Sequence, residues 1–320
     1  MTLGDIYELF IREGIQTDPR RPADIKRKLT DSHREYQKQE RWQKKFFDKE
    51  RFRNPYADTR ILFGDPACEI RRILVGIDIE VGELLLAERM SQKGNPVDMV
   101  LAHHPEGLAL AGLDDVMDLQ TNVLADRGIR KDIACDLMDK RRKEVARRLH
   151  SANHTRAVDA AKLLKLPFMC CHTPSDNHAV RYLEKRIARE RPRRLKNLIQ
   201  LLLHEPEYAE AATHQAGPWL LIGKPDDRVG EVFVDMTGGT EGSKEVFARL
   251  SQVGIDTQLS MHLSEEHFNK IKDEHIKVVI AGHMPSDNLG MNLLLDKLEK
   301  KGKIEIIACS GFRRIKRSWG

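Results

Sequence analysis

Three short apolar runs in this chain stop on histidine: VLAHHP ends on His103 and His104, MCCHTPSDN on His172, and IAGHMPSDN on His283. Such runs fit strands buried on both faces, as in α/β proteins whose parallel sheets are covered by helices. Open α/β sheets bind ligands beyond the carboxyl ends of their strands, which is where these histidines stand. The second and third endings share the pattern His-x-Pro-Ser-Asp-Asn, at 172–177 and again at 283–288, an internal repeat of a site element. Pro-Ser-Asp-Asn is also good turn and helix-capping chemistry. Capping accounts for the Ser and Asp but leaves the histidine unexplained.

The order of the other segments agrees with an α/β chain. Residues 2–14 carry Leu3, Ile6, Leu9 and Phe10 at helical spacing, and residues 22–53 are charged and almost free of glycine, which predicts a helix followed by a basic helical arm. From Arg72 onward β-branched runs alternate with helix-period segments: RRILVGIDI, EVGELLLAERMSQKG and VDMVLAHHPEG read as one βαβ unit. Residues 113–165 read as mostly helical and basic, and LPFMCC as a third strand. After a basic helix at 179–203, HEPEYAEAATHQAGP reads as exposed. The alternation then restarts with WLLIG and EVFVDM and runs to a final strand, KIEIIACSG. The predicted division is an N-terminal helix and basic arm (1–55), a first α/β lobe with a basic helical insertion (56–200) and a second α/β lobe (201–320).

Metal binding explains the strand endings as a set. His103, His104, His172, Asp176, His283 and Asp287 mix imidazoles with carboxylates, which suits Zn, Mn, Fe, Co or Ni better than Mg or Ca. Six side chains exceed one tetrahedral site and fit a pair of ions sharing a carboxylate or water. Paired metals lower the pKa of a bound water and so favour hydrolysis. Glu106, just beyond the His pair, reads as a general base or as a helix cap. GGTEGS at 238–243 reads as a phosphate cradle or an ordinary tight turn. His150, His154, His262 and His267 stay outside the predicted metal shell.

Composition narrows the classes. With 40% hydrophobic and 32% charged residues the chain is globular rather than disordered. Five cysteines without a C-x-x-C pair favour buried thiols in a reducing compartment. No segment approaches the roughly 18 apolar residues of a membrane span, so the expectation is a cytoplasmic protein with no membrane partner. The net charge of +5 is modest. The basic segments 22–53 and 181–195 could meet nucleic acid, but no binding motif accompanies them, and the plainer reading is a solvated helix face.

The ordered series HHP, HTPSD and GHMPSD, together with ILVGIDI, DTRILFGDP and VDMTGGTEGS, resembles the Nif-three-like family (Ngg-one-interacting factor three), a dinuclear metal family often labelled GTP cyclohydrolase I type 2. The likeness spans roughly residues 56–312, with gaps. It implies an α/β fold of two lobes with a metal site between them, here preceded by the helical basic arm. It also implies metal ligands at His103, His104, Asp176, His283 and Asp287, with His172 in a supporting role, and a homo-oligomer such as a hexameric ring. One departure stands out, because Asp287 occupies a position usually held by glutamate. The resulting expectation is a metal-dependent hydrolase with two divalent transition-metal ions, acting on a small anionic, nucleotide-like substrate. The alternative is a non-enzymatic metal-binding scaffold or a ring protein that binds partners, nucleic acid included.

Overall fold

A computed structural model describes residues 1–317. Helix α1 (Leu3–Thr17) begins in a capping box between Thr2 and Asp5 and buries the predicted stripe Leu3, Ile6, Leu9 and Phe10. Helix α2 (Pro22–Lys38) follows, but only two 3-10 turns succeed it, at Gln43–Lys45 and Lys49–Phe52. The basic arm is therefore folded back. The rings of His33 and Phe52 stack at 4.2 Å, and Lys28 donates to the Asp115 carbonyl at 2.8 Å.

The first α/β stretch contains β1 (Thr59–Phe63), β2 (Arg72–Gly76), α3 (Val81–Gln92) and β3 (Met99–Ala102). Five helices follow, α4 (Gly107–Ala111), α5 (Leu113–Val116), α6 (Asp118–Asp126), α7 (Lys131–His150) and α8 (Arg156–Leu164), and then β4 (Phe168–Cys171) and α9 (Thr173–Glu190). Helices α10 (Leu195–Leu203) and α11 (Pro206–Thr213) lead to β5 (Trp219–Ile222), β6 (Val232–Asp235), α12 (Phe247–Gln252), β7 (Thr257–Ser260), α13 (Glu265–Asp273), β8 (Lys277–Ile280), α14 (His283–Glu299) and β9 (Glu305–Ala308).

Two sheets result, ordered β1-β4-β3-β2-β9 and β5-β8-β7-β6. In each, an antiparallel edge strand, β1 or β5, pairs with the strand that precedes the His-x-Pro-Ser-Asp-Asn element, and the remaining pairings are parallel. The repeat seen in sequence is thus the visible part of a duplicated α/β unit. Its two copies meet along α9 and α14. Leu294 and Leu298 of α14 join the core of the first sheet, while Leu289 and Leu293 join Val180 and Leu183 of α9 in the core of the second. The fold is the expected α/β fold of two lobes.

Three placements differ from the sequence reading. The final strand β9, last in a stretch read as the second lobe, pairs with β2 of the first sheet. Strand β2 is buried on both faces, so its outer edge needs a hydrogen-bonding partner, and α14 carries the chain back to supply one. Helices α6 and α7, read as an insertion in the first lobe, bury Leu124, Met138 and Val145 against Phe233 and Phe247 of the second. The segment read as exposed forms α11, whose Tyr208 is fully buried and bonds Ser286 at 3.0 Å. Among the described residues the cysteines are free, with Cys170 and Cys171 buried, and no helix is long and apolar enough to cross a membrane.

Candidate metal centre

The chain turns from strand to helix at the same edge of both sheets, and the histidines stand at those turns. His103 and His104 continue β3, their backbone N–H groups donating to Gly76 and Ile77 at 2.9 and 3.0 Å. His172 caps α9 and His283 opens α14, where Gly282 takes a φ of 105° that a side chain would strain. A Cβ on Gly282 would also lie 2.9 Å from the Ala216 carbonyl oxygen. From these turns Asp176 and Asp287 follow four residues after His172 and His283, on the same helical face.

Three of the histidines are held from behind through Nδ1. That of His103 lies 3.2 Å from the Cys171 carbonyl, that of His104 2.6 Å from Asp78 Oδ1, and that of His172 2.9 Å from Asp58 Oδ2. Each Nε2 then faces the carboxylates. His103 Nε2 lies 3.4 Å from both Asp176 Oδ1 and Asp287 Oδ1. Asp287 Oδ2 lies 3.5 Å from His104 Nε2 and 3.4 Å from His283 Nε2, and His172 Nε2 lies 3.7 Å from Asp176 Oδ2.

These separations do not satisfy the atoms concerned. His103 Nε2, Asp176 Oδ1 and both oxygens of Asp287 are buried without a hydrogen-bond partner. Buried polar atoms normally have partners, and four orphans pointing at one another cost several kcal/mol unless something sits among them. A cation fits. Three groupings bring one donor atom from each residue within 4.8 Å of one another: His103 with His104 and His172, His104 with His283 and Asp287, and His103 with Asp176 and Asp287. Neither turn shows a side-chain helix cap, so capping does not account for the aspartates.

The electrostatics describe a site strained without a positive charge. Burial pushes His103 down to about 4, against the pull of Asp287. Burial also opposes the charge on His104, but Asp287 and Asp78 outweigh it and raise that histidine to about 9. Asp176 is driven well above the usual carboxylate range by burial, then by Asp287 and Asp58. Burial would raise Asp287 too, yet His103, His104 and His283 hold it far below.

Glu106 precedes α4 without capping it and lines the adjoining cavity, and burial raises its carboxyl. The GGTEGS loop leads into the 3-10 turn Lys244–Val246, and the carbonyls of Gly238 and Thr240 accept from Gln120 Nε2 at 3.1 and 2.6 Å. Glu241 of that loop faces the cavity as a carboxylate, an environment opposed to a phosphate cradle. His267 is structural, since its ring nitrogens meet Ser264 Oγ at 2.7 Å and the Gly242 carbonyl at 3.0 Å. His262 does line the cavity, with its ring 4.9 Å from that of His283. His150 and His154 belong to none of the three groupings. Sequence reasoning missed Asp58 and Asp78, whose only signal was an aspartate beside β1 and another just after β2.

The cavity, about 370 Å³, lies where the strand ends of the two lobes face each other. His104, Glu106, His172 and Asp176 line it from the first lobe, and Asp235, Glu241, Gln258 and His262 from the second. Among the described residues no Lys or Arg lines it.

No family model matches the chain, nor does any curated protein. Solved structures do match. A NIF3 superfamily protein from Sphaerobacter thermophilus is 28% identical with a TM-score of 0.71, over 81% of this chain and 93% of that one. Reduced HcgD from Methanocaldococcus jannaschii is 16% identical with a TM-score of 0.46, over 78% of this chain and 87% of its own. A Bacillus cereus protein related to NIF3 is 13% identical with a TM-score of 0.40, over 78% and 89%.

Proposed function

The chain is NIF3-like in motif and fold, and from that premise we propose that it is a metal-dependent hydrolase whose strand-end cluster holds two divalent transition-metal ions. The observation that carries this reading is the set of four buried, partnerless donor atoms. Asp287 Oδ1 lies near His103 Nε2 and its Oδ2 near His104 and His283 Nε2, so its two oxygens would be available to hold two ions. Aspartate therefore reaches both sides where the resemblance leads one to expect glutamate. His103, His104, Asp176, His283 and Asp287 are the proposed ligands. When bound, such a pair of ions supplies Lewis-acid polarisation of a substrate oxygen and a water acidic enough to ionise near neutral pH.

The chain's own groups complete the site. His172, oriented by Asp58, and Glu106, with its raised carboxyl, stand at the cavity rim to accept or return a proton. The substrate is a small molecule whose anionic group meets the cluster. Assembly as a homo-oligomer rests on the family resemblance alone.

Elemental analysis of the purified protein tests the metal claim. About two transition-metal ions per chain are expected, with loss in Asp287→Ala and His283→Ala. A wild type that holds no metal after reconstitution with Zn or Mn overturns it. Screening phosphoesters and nucleotides tests the hydrolase claim, since turnover must depend on metal and vanish in His103→Ala with the fold intact.

One observation favours a second reading, a basic face for an anionic partner such as nucleic acid. A cleft of about 720 Å³ along α1, α9 and α14 is lined by Arg181, Lys185, Arg186, Arg189 and Lys297. Oligonucleotide binding would then fall steeply with salt and with Arg181→Glu or Lys185→Glu. Absence of binding at low salt removes that reading.

A further inference from the structure

The cavity has two unlike walls. One wall is the cluster of histidines and aspartates, to which both lobes contribute. The second-lobe wall is its duplicated counterpart, because β7 runs on into Met261 and His262 where β3 runs on into His103 and His104. Methionine in place of the first histidine removes a donor, and none of the three metal-holding groupings falls wholly on this wall. The ends of β6 and β7 have thus kept polar groups without the set needed to hold an ion on their own.

Those groups are mostly acceptors. Gln258 is 1% exposed, and its Nε2 is already used, donating to Asp235 Oδ2 at 3.1 Å and to Ser260 Oγ at 2.6 Å. Its Oε1 is buried without a partner. Asp235 stands beside it at the end of β6 and, among the described residues, accepts from that amide alone. Burial, then Glu241, raises the Asp235 carboxyl to about 6, so it carries its charge at neutral pH against an unfavourable setting.

Two histidines on this side already have partners. His262 faces Glu241 at 3.3 Å, and His267 is held by Ser264 and Gly242. An unmatched buried acceptor such as Gln258 Oε1 costs about 1–3 kcal/mol until a donor arrives. A phosphate or carboxylate cannot be that donor. An N–H group can.

We infer that Asp235 and Gln258 form a specificity subsite for an N–H-bearing group, an ammonium, an amidine or an amino-substituted heterocycle, on a substrate whose anionic end lies at the strand-end cluster. This rests on the metal-hydrolase reading and adds a substrate class to it: molecules anionic at one end and rich in N–H donors at the other. The wall selects by leaving a substrate without donors to bury Gln258 Oε1 and Asp235 unsatisfied.

Calorimetry on the metal-loaded protein tests the subsite, using ω-aminoalkyl phosphates of increasing length against alkyl phosphates of matching length. At the length that spans the cavity the amino compound binds about tenfold or more tightly than its alkyl partner. Asp235→Asn and Gln258→Leu, checked for metal content, reduce that preference to less than about twofold. Equal or weaker binding of the amino compounds at every length, or a preference that survives both substitutions, overturns the subsite while leaving the metal reading intact. If the loaded protein binds no alkyl phosphate and no amino compound, the anionic-substrate reading fails, and the subsite fails with it.

Discussion

A histidine whose Nδ1 is tied to a carbonyl or carboxylate presents Nε2 as a fixed donor, and that orientation contributes to metal affinity in its own right. Asp78 does this for His104 and Asp58 for His172. Asp58→Asn and Asp78→Asn leave every proposed ligand in place, and each is expected to weaken metal binding about 10–100-fold in a chelator competition; unchanged affinity would show the carboxylates to be bystanders. Asp235 gives a pH signature of a different kind. Its folded pKa, about 6, lies above the ordinary 3.8, so the cost of its charge is absent below 3.8 and fully present above about 6. Asp235→Asn should therefore gain stability on wild type as pH rises through that window, by about 3 kcal/mol in denaturant titrations, and show no gain in more acid solution. His103, His104 and His283 were legible as candidates in sequence because they end apolar runs, and Asp176 and Asp287 because they stand in the repeated His-x-Pro-Ser-Asp-Asn element. Asp58 was not, since its partner His172 is reached only when β1 pairs with β4, across more than a hundred residues.

At the scale of elements, the site depends on how closely α9 and α14 approach. Gly290 of α14 lies against Ser175 of α9, where an added Cβ would come within 2.4 Å of the Ser175 carbonyl oxygen. In an exposed helix Gly→Ala stabilises by about 1 kcal/mol, but here the neighbouring atom is backbone and cannot rotate away. Gly290→Ala is expected to destabilise by about 1–3 kcal/mol and to lower metal occupancy, because the turns that open both helices carry Asp176 and Asp287. A stabilised variant with full metal content would mean that the helices separate without cost. Periodicity revealed α1 and the strands before each histidine, since their apolar patterns are local. It could not reveal that β9 completes the first sheet or that α7 covers the second. Those placements answer a need of β2 and of the second sheet for cover, and nothing in the sequences of β9 or α7 states which partner they serve.

For the whole molecule, the cluster joins the two lobes, since His103 and Asp176 come from the first unit and His283 and Asp287 from the second. A ligand that binds only the folded state adds RT ln(1 + [L]/Kd), about 2.7 kcal/mol at a hundredfold excess over Kd. Removing metal with a chelator should therefore lower the unfolding temperature of the whole protein. The size of that drop should depend on pH. In the metal-free protein His104 is raised from 6.5 to about 9, so its favourable protonation stabilises the fold fully below pH 6.5 and is lost as pH rises through about 9. The same proton must leave before Nε2 can serve as a ligand, so metal binds more tightly across the same interval. Both effects act in one direction, and the gap in unfolding temperature between loaded and stripped protein should widen from pH 6.5 to about 9. A gap that stays constant over that range in a thermal scan would mean that His104 gives up no proton to the metal, and His104 would then have to be removed from the proposed ligands.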